Sequence, residues 1–65
     1  MTLVINGEKH ELDVGTLFDV VSHFKLEEGL VVAEVDGKIV EREQWERVNV
    51  KDGMTIELVH FVGGG

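Results

Sequence analysis

A single small α+β domain, with one helix laid across a mixed sheet of four or five strands, is the fold class that this 65-residue sequence predicts. Three observations carry the expectation. Apolar residues fall at the helical spacing i, i+3, i+4, i+7 at Leu17, Val20, Val21 and Phe24. Stretches of strand character lie on both sides of that segment. The pairs Asn6-Gly7, Asp36-Gly37 and Asp52-Gly53 interrupt those stretches where tight turns are needed.

Leu3, Val4 and Ile5 form an aliphatic, partly β-branched run that stops at Asn6-Gly7, a pair that tolerates the positive φ of a hairpin turn. The second arm, residues 9–14, alternates charged Lys9, Glu11 and Asp13 with His10, Leu12 and Val14, the period of a strand with one dry face. Gly15 breaks it. Thr16 followed by Asp19 is a capping-box-like start, so the helix is expected over residues 16–24, ending near Lys25. Glu27, Glu28 and Gly29 make a solvated connection to a strand over residues 30–35, which turns at Asp36-Gly37 into Lys38, Ile39 and Val40. Residues 41–47 carry charge around the single tryptophan, Trp45; their length suits an irregular turn or short helix anchored in the core by that ring. Val48 and Val50 suggest a short edge strand, and residues 55–62 a long final one. In that last strand Ile56, Leu58 and His60 share one face, while Glu57, Val59 and Phe61 share the other. Hairpin, helix, hairpin and last strand in this order describe a β-grasp, or ubiquitin-like, domain over residues 1–62, followed by a flexible glycine tail at Gly63, Gly64 and Gly65.

Composition excludes several functions. With 6 basic and 13 acidic residues the formal net charge is -7, and the basic residues are scattered among carboxylates, so a nucleic-acid surface is not expected; a protein partner with a basic docking surface is. The absence of cysteine removes disulfide scaffolds, thiolate metal sites and cysteine nucleophiles together, and it fits a reducing cytoplasm. No apolar run approaches the roughly 20 residues of a membrane span, and the start of the chain lacks the basic-then-apolar pattern of a signal peptide, so the mature chain is expected to equal the encoded one. His10, His23 and His60 lack ligand-like spacing and are read as ordinary sheet, helix-surface and strand residues, with no metal site. The glutamates at 27 and 28, and at 41, 43 and 46, are read as solvated faces rather than acid/base pairs. No catalytic residue is expected on the chain.

What remains is the end of the chain. An apolar stretch, His60-Phe61-Val62, runs into three glycines. Three extended residues reach about 10 Å. Lacking a Cβ, they can thread a narrow channel and present the Gly65 α-carboxylate to a catalyst.

The whole chain resembles the bacterial sulfur carrier proteins of thiamine thiazole biosynthesis, the ThiS family. The similar pieces are Asn6-Gly7, Gly15-Thr16-Leu17, Arg42-Glu43-Gln44-Trp45, Asp52-Gly53 and the ending Val59-His60-Phe61-Val62-Gly63-Gly64-Gly65. Met54 departs from the family pattern, where a second acidic residue follows the Asp-Gly turn. The resemblance implies a carrier whose Gly65 carboxylate is adenylated by a ubiquitin-activating-like, ThiF-type adenylyltransferase. It is then converted to a thiocarboxylate with sulfur drawn from cysteine through a desulfurase, and the sulfur passes to a ThiG-type thiazole synthase. Such a chain is a protein co-substrate, not an enzyme; it holds no cofactor, ATP and magnesium being used by the activating partner. Gly63 and Gly64 would thread the partner's channel, while Phe61, Val59 and Val32, on the sheet face away from the helix, would dock. A carrier serving molybdopterin or another product, a ubiquitin-like modifier joined to lysines, and an interaction module with an inert tail are the alternatives.

Overall fold

The computed structural model describes residues 1–61. Strand β1 (Thr2–Ile5) turns into β2 (Glu8–Glu11), and helix α1 (Leu17–His23) follows. A 3-10 turn (Glu28–Leu30) leads into the hairpin β3 (Val31–Val35) and β4 (Lys38–Val40). A second 3-10 segment (Arg42–Arg47) precedes the last strand, β5 (Thr55–His60). The five strands form one sheet in the order β2-β1-β5-β3-β4, so the last strand lies in the middle. β1 and β5 run parallel, and the other neighbouring pairs are antiparallel.

Both hairpins close where the sequence places Asn-Gly and Asp-Gly. Asn6 and Gly7 have φ of 51° and 81°, and Asp36 and Gly37 have 49° and 86°. Two consecutive left-handed residues make the turn whose twist matches that of the flanking strands. The third pair does something different. Gly53, at φ 84°, donates its N–H to the Thr2 carbonyl at 2.7 Å, while Thr2 N–H donates to the Asp52 carboxylate at 2.7 Å. That turn is thereby pinned to the start of β1, which sets β5 alongside β1 in parallel.

The helix begins as its sequence predicts. Asp19 N–H donates to the Thr16 hydroxyl, and Thr16 N–H donates back to the Asp19 carboxylate at 3.1 Å, a complete capping box. Gly15 N–H donates to the same carboxylate at 3.1 Å. These two backbone bonds hold the Asp19 carboxyl below the usual carboxylate range. The helix stops at the cap residue Phe24, after which Lys25 takes a left-handed φ of 56°. Leu17, Val20 and Val21 are fully buried against Leu3, Ile5, Ala33, Ile56 and Leu58 of the sheet. Trp45, 1% exposed, closes the core from the side, and its indole N–H donates to the Val40 carbonyl at 3.0 Å.

Four boundaries differ from expectation. β2 ends at Glu11, because β1 supplies no strand residue beyond Thr2. The pairing continues only through Met1, whose carbonyl accepts from Leu12 N–H at 3.0 Å. Leu30 belongs to the 3-10 turn rather than to β3. Val48 and Val50 form no strand: the Val48 carbonyl accepts from Leu17 N–H and Val50 N–H donates to the Gly15 carbonyl, each at 3.0 Å. Their backbone is used by the start of the helix, leaving one isolated bridge between Thr16 and Asn49. β5 ends at His60, and Val62 lies outside the described residues. No helix among the described residues is long and apolar enough to cross a membrane.

Candidate functional site

β5 decides which residues can meet a partner. Phe61 N–H donates to the Leu30 carbonyl at 2.7 Å, and Asp36 N–H donates to the Thr55 carbonyl at 2.8 Å. The odd-numbered residues of β5 therefore bond to β3, and the even-numbered ones turn their backbone toward β1. Side chains alternate across the sheet. Ile56 and Leu58 enter the core under the helix, whereas Val59 and Phe61 stand on the opposite face, 49% and 56% exposed. Val32, half-buried, is the direct cross-strand partner of Val59. The three expected docking residues are thus brought together on one side of β3 and β5.

Two residues of this region were not singled out in the sequence. Ile39, 63% exposed, pairs with Glu34 and extends the same outward face onto β4. Its signal was present: carrying the alternation of β3 through the Asp36-Gly37 turn puts Ile39 on the face of Val32. Asn6 reads as a turn former, yet it also makes three hydrogen bonds to the β5 backbone. Its own N–H donates to the Ile56 carbonyl at 2.9 Å. Its side chain accepts from Leu58 N–H at 2.8 Å and donates to the Leu58 carbonyl at 3.2 Å. Sequence spacing gives no sign of a contact across 52 residues.

On the helix side, a groove of about 370 Å³ lies between β2, β5 and the segment after the helix. Ile5, Leu58, Phe24 and Leu26 form its apolar walls, with His10 and His60 among its polar lining. The Phe24 ring stands edge-on to His10 and His23, with centroids 5.4 Å and 5.2 Å apart. His60, expected to share the core face of β5, is exposed at the groove because the helix ends before reaching it. His10 is half-buried in the sheet and His23 exposed on the helix, as their positions suggested. Among the described residues no group of three or more His, Asp or Glu could hold a metal ion. Glu27, Glu41, Glu43 and Glu46 are exposed. Gly63, Gly64 and Gly65 lie outside the described residues.

A mixed five-stranded sheet crossed by one helix, with the terminal strand at its centre and an apolar patch on its open face, defines a β-grasp protein of the ubiquitin-like class. The particular family follows from comparison with known proteins. The model of the ThiS family matches residues 3–65. The sulfur carrier protein ThiS of Bacillus subtilis (strain 168) is 38% identical over 65 residues, covering 97% of this chain and 98% of that protein. The uncharacterized protein ycf40 of Trieres chinensis is 31% identical over 65 residues, covering 98% and 89%. Among solved structures, the crystal structure of the thiamine biosynthesis protein ThiS from Geobacter metallireducens superposes with a TM-score of 0.83 at 32% identity, covering 100% of both chains. The solution structure of a thiamine biosynthesis protein from the same organism gives the same TM-score and identity, covering 100% of this chain and 88% of that one. The chain belongs to the ThiS family, the sulfur carrier proteins of thiamine biosynthesis.

Proposed function

We propose that the chain carries sulfur on its last residue: the Gly65 α-carboxylate is adenylated, converted to a thiocarboxylate, and delivers that sulfur for thiazole formation. The observation that supports this most is the placement of Val59 and Phe61, exposed on the open sheet face in the strand that leads to Gly63, Gly64 and Gly65. An adenylating partner of the ThiF type binds that face through Phe61, Val59 and Val32. It receives Gly63 and Gly64 in a channel that admits bare backbone, and it brings ATP and magnesium itself.

The chemistry suits a carrier. A carboxylate is a poor acyl donor. Attack of a carboxylate oxygen on the α-phosphorus of ATP releases pyrophosphate and leaves an acyl adenylate with AMP as a good leaving group. A persulfide sulfur, drawn from cysteine through a desulfurase, attacks the acyl carbon and expels AMP. A second thiol then cleaves the resulting acyl disulfide, leaving as a disulfide with the persulfide's thiol and freeing the thiocarboxylate, whose sulfur is the nucleophile offered to a thiazole synthase of the ThiG type. The carrier supplies the carboxylate, the reach and the docking face, and all of this takes place in the cytoplasm. Intact mass spectrometry of the protein isolated from its native host during thiamine starvation tests the reading. Replacement of one oxygen by sulfur at Gly65 is expected, and an unmodified terminus under starvation would overturn it. A stable isopeptide adduct would support a protein modifier instead.

A further inference from the structure

Asn6 sits where β5 loses its neighbour. On the β1 side of β5, Ile56 is held by the Asn6 backbone and Leu58 by the Asn6 side chain. β1 has turned away at Gly7, so among the described residues the Asn6 amide is the last hold on that side. On the other side, pairing to β3 continues through His60, and Phe61 N–H bonds to the Leu30 carbonyl. The segment bearing Val59 and Phe61 therefore has one flank braced by β3 and the other only by a side chain. The residue that supplies the brace has to tolerate a φ of 51° and to offer a donor and an acceptor on one short planar group. Asparagine meets all three conditions; aspartate lacks the donor and glycine lacks the side chain.

We infer that Asn6 is a positioning residue for partner recognition: its amide, clamped to Leu58, preorganises the end of β5 so that Val59 and Phe61 are presented in their docking conformation before the partner arrives. The inference rests on the carrier reading above. Docking a frayed strand end would first have to order it, which lowers the competent fraction of the free protein and weakens apparent affinity in proportion. Once docked, the interface restores the strand and the chemistry at Gly65 proceeds normally.

The test uses Asn6→Gly, which keeps the left-handed turn and removes the clamp, and Asn6→Asp, which keeps the acceptor for Leu58 N–H but sets an acceptor against the Leu58 carbonyl. Thr16→Ala serves as a control that lowers stability through the helix cap, away from β5. Amide hydrogen exchange on the free proteins is expected to accelerate at Leu58 in both Asn6 variants and not in the control. In pyrophosphate release by the cognate adenylating enzyme, KM for the carrier is expected to rise about fivefold to tenfold with kcat within about twofold, the pattern of lost uniform binding. A merely structural role would move the melting temperature of all three variants and leave KM alone. Unchanged exchange at Leu58, an unchanged KM, or an equal rise in KM for Thr16→Ala would each overturn the inference. If the wild-type chain releases no pyrophosphate, the carrier reading falls and the docking role falls with it. The exchange data then still report whether the amide braces the strand.

Discussion

Replacing Phe61 by alanine separates docking from folding, and the structure sets the size of both effects. The ring is 56% exposed. A phenylalanine has about 200 Å² to bury, so about 110 Å² remains for a partner and about 90 Å² is already covered. At about 25 cal/mol per Å², covering the exposed part is worth about 2.5 kcal/mol. Ordering the side chain at an interface costs about 1 kcal/mol. The difference corresponds to a loss of roughly tenfold in affinity for the Phe61→Ala variant. The fold should lose about 1 kcal/mol, since alanine keeps part of the covered area and the backbone bond to Leu30 is untouched. Isothermal titration calorimetry against the adenylating enzyme, beside thermal melts of the two proteins, measures both. An unfolded variant would mean that Phe61 belongs to the core and that the outward face has been misassigned. Unchanged affinity in a folded variant would remove Phe61 from the interface.

Adding one residue after Gly65 moves the carboxylate by about 3.5 Å, well outside the roughly 0.5 Å tolerance of a productive site. That extension, like deletion of Gly65, is expected to abolish pyrophosphate release with no change in melting temperature, and Gly64→Ala to impair it less. The helix cap should show in acid titration. The Asp19 carboxyl is held below its unfolded-state value of about 4, so its stabilising contribution is complete above that pH and is lost as pH falls through the folded-state value. The melting temperatures of wild type and Asp19→Asn should therefore converge on acidification, and a gap independent of pH would contradict the cap. Thr16→Ala should cost about 1 kcal/mol in denaturant unfolding at neutral pH. Trp45→Phe leaves the Val40 carbonyl without its donor and opens space in the core, and should cost about 2 to 3 kcal/mol by the same measurement.

What the sequence made legible is local. Asn6-Gly7 and Asp36-Gly37 announce their hairpins because two successive left-handed residues are a demand few dipeptides meet. Thr16 and Asp19 announce the helix because both partners of the capping box lie within one turn. The long-range pairings carry no such mark. Nothing about Asp52-Gly53 distinguishes a hairpin turn from one that docks on Thr2, and the same dipeptide type does both here. Val48 and Val50 have strand composition, yet their backbone groups go to Gly15 and Leu17, because the helix start reached them and no sheet edge did. For the site, period 2 separated Ile56 and Leu58 from Val59 and Phe61 correctly. It missed Ile39 and Asn6, the first because the face was not followed across a turn, the second because an asparagine in a turn already has a sufficient local explanation.

The position of β5 bears on why a carrier is built this way. The strand that leads to the glycine tail is flanked by β1, its parallel partner, and by β3, its antiparallel partner, on opposite sides, and its inward residues Ile56 and Leu58 lie beneath the helix. Had the chain ended on an edge strand, a partner drawing the tail into a channel could peel that strand away, breaking its single ladder one bond at a time. In a central strand, peeling that reaches Leu58 has to break bonds on both flanks and expose core residues as well. Asn6 extends that double bracing to Leu58, one turn of the pleat beyond the last backbone pair of β1 with β5, Ile5 with Ile56. On the proposed reading, the docking residues Val59 and Phe61 then belong to the part of the chain that the sheet holds, ahead of the glycines that the partner's channel would receive. A partner of the proposed kind would hold Val59 and Phe61 on that surface while it receives Gly63, Gly64 and Gly65, where the lack of a Cβ leaves the choice of backbone to its channel.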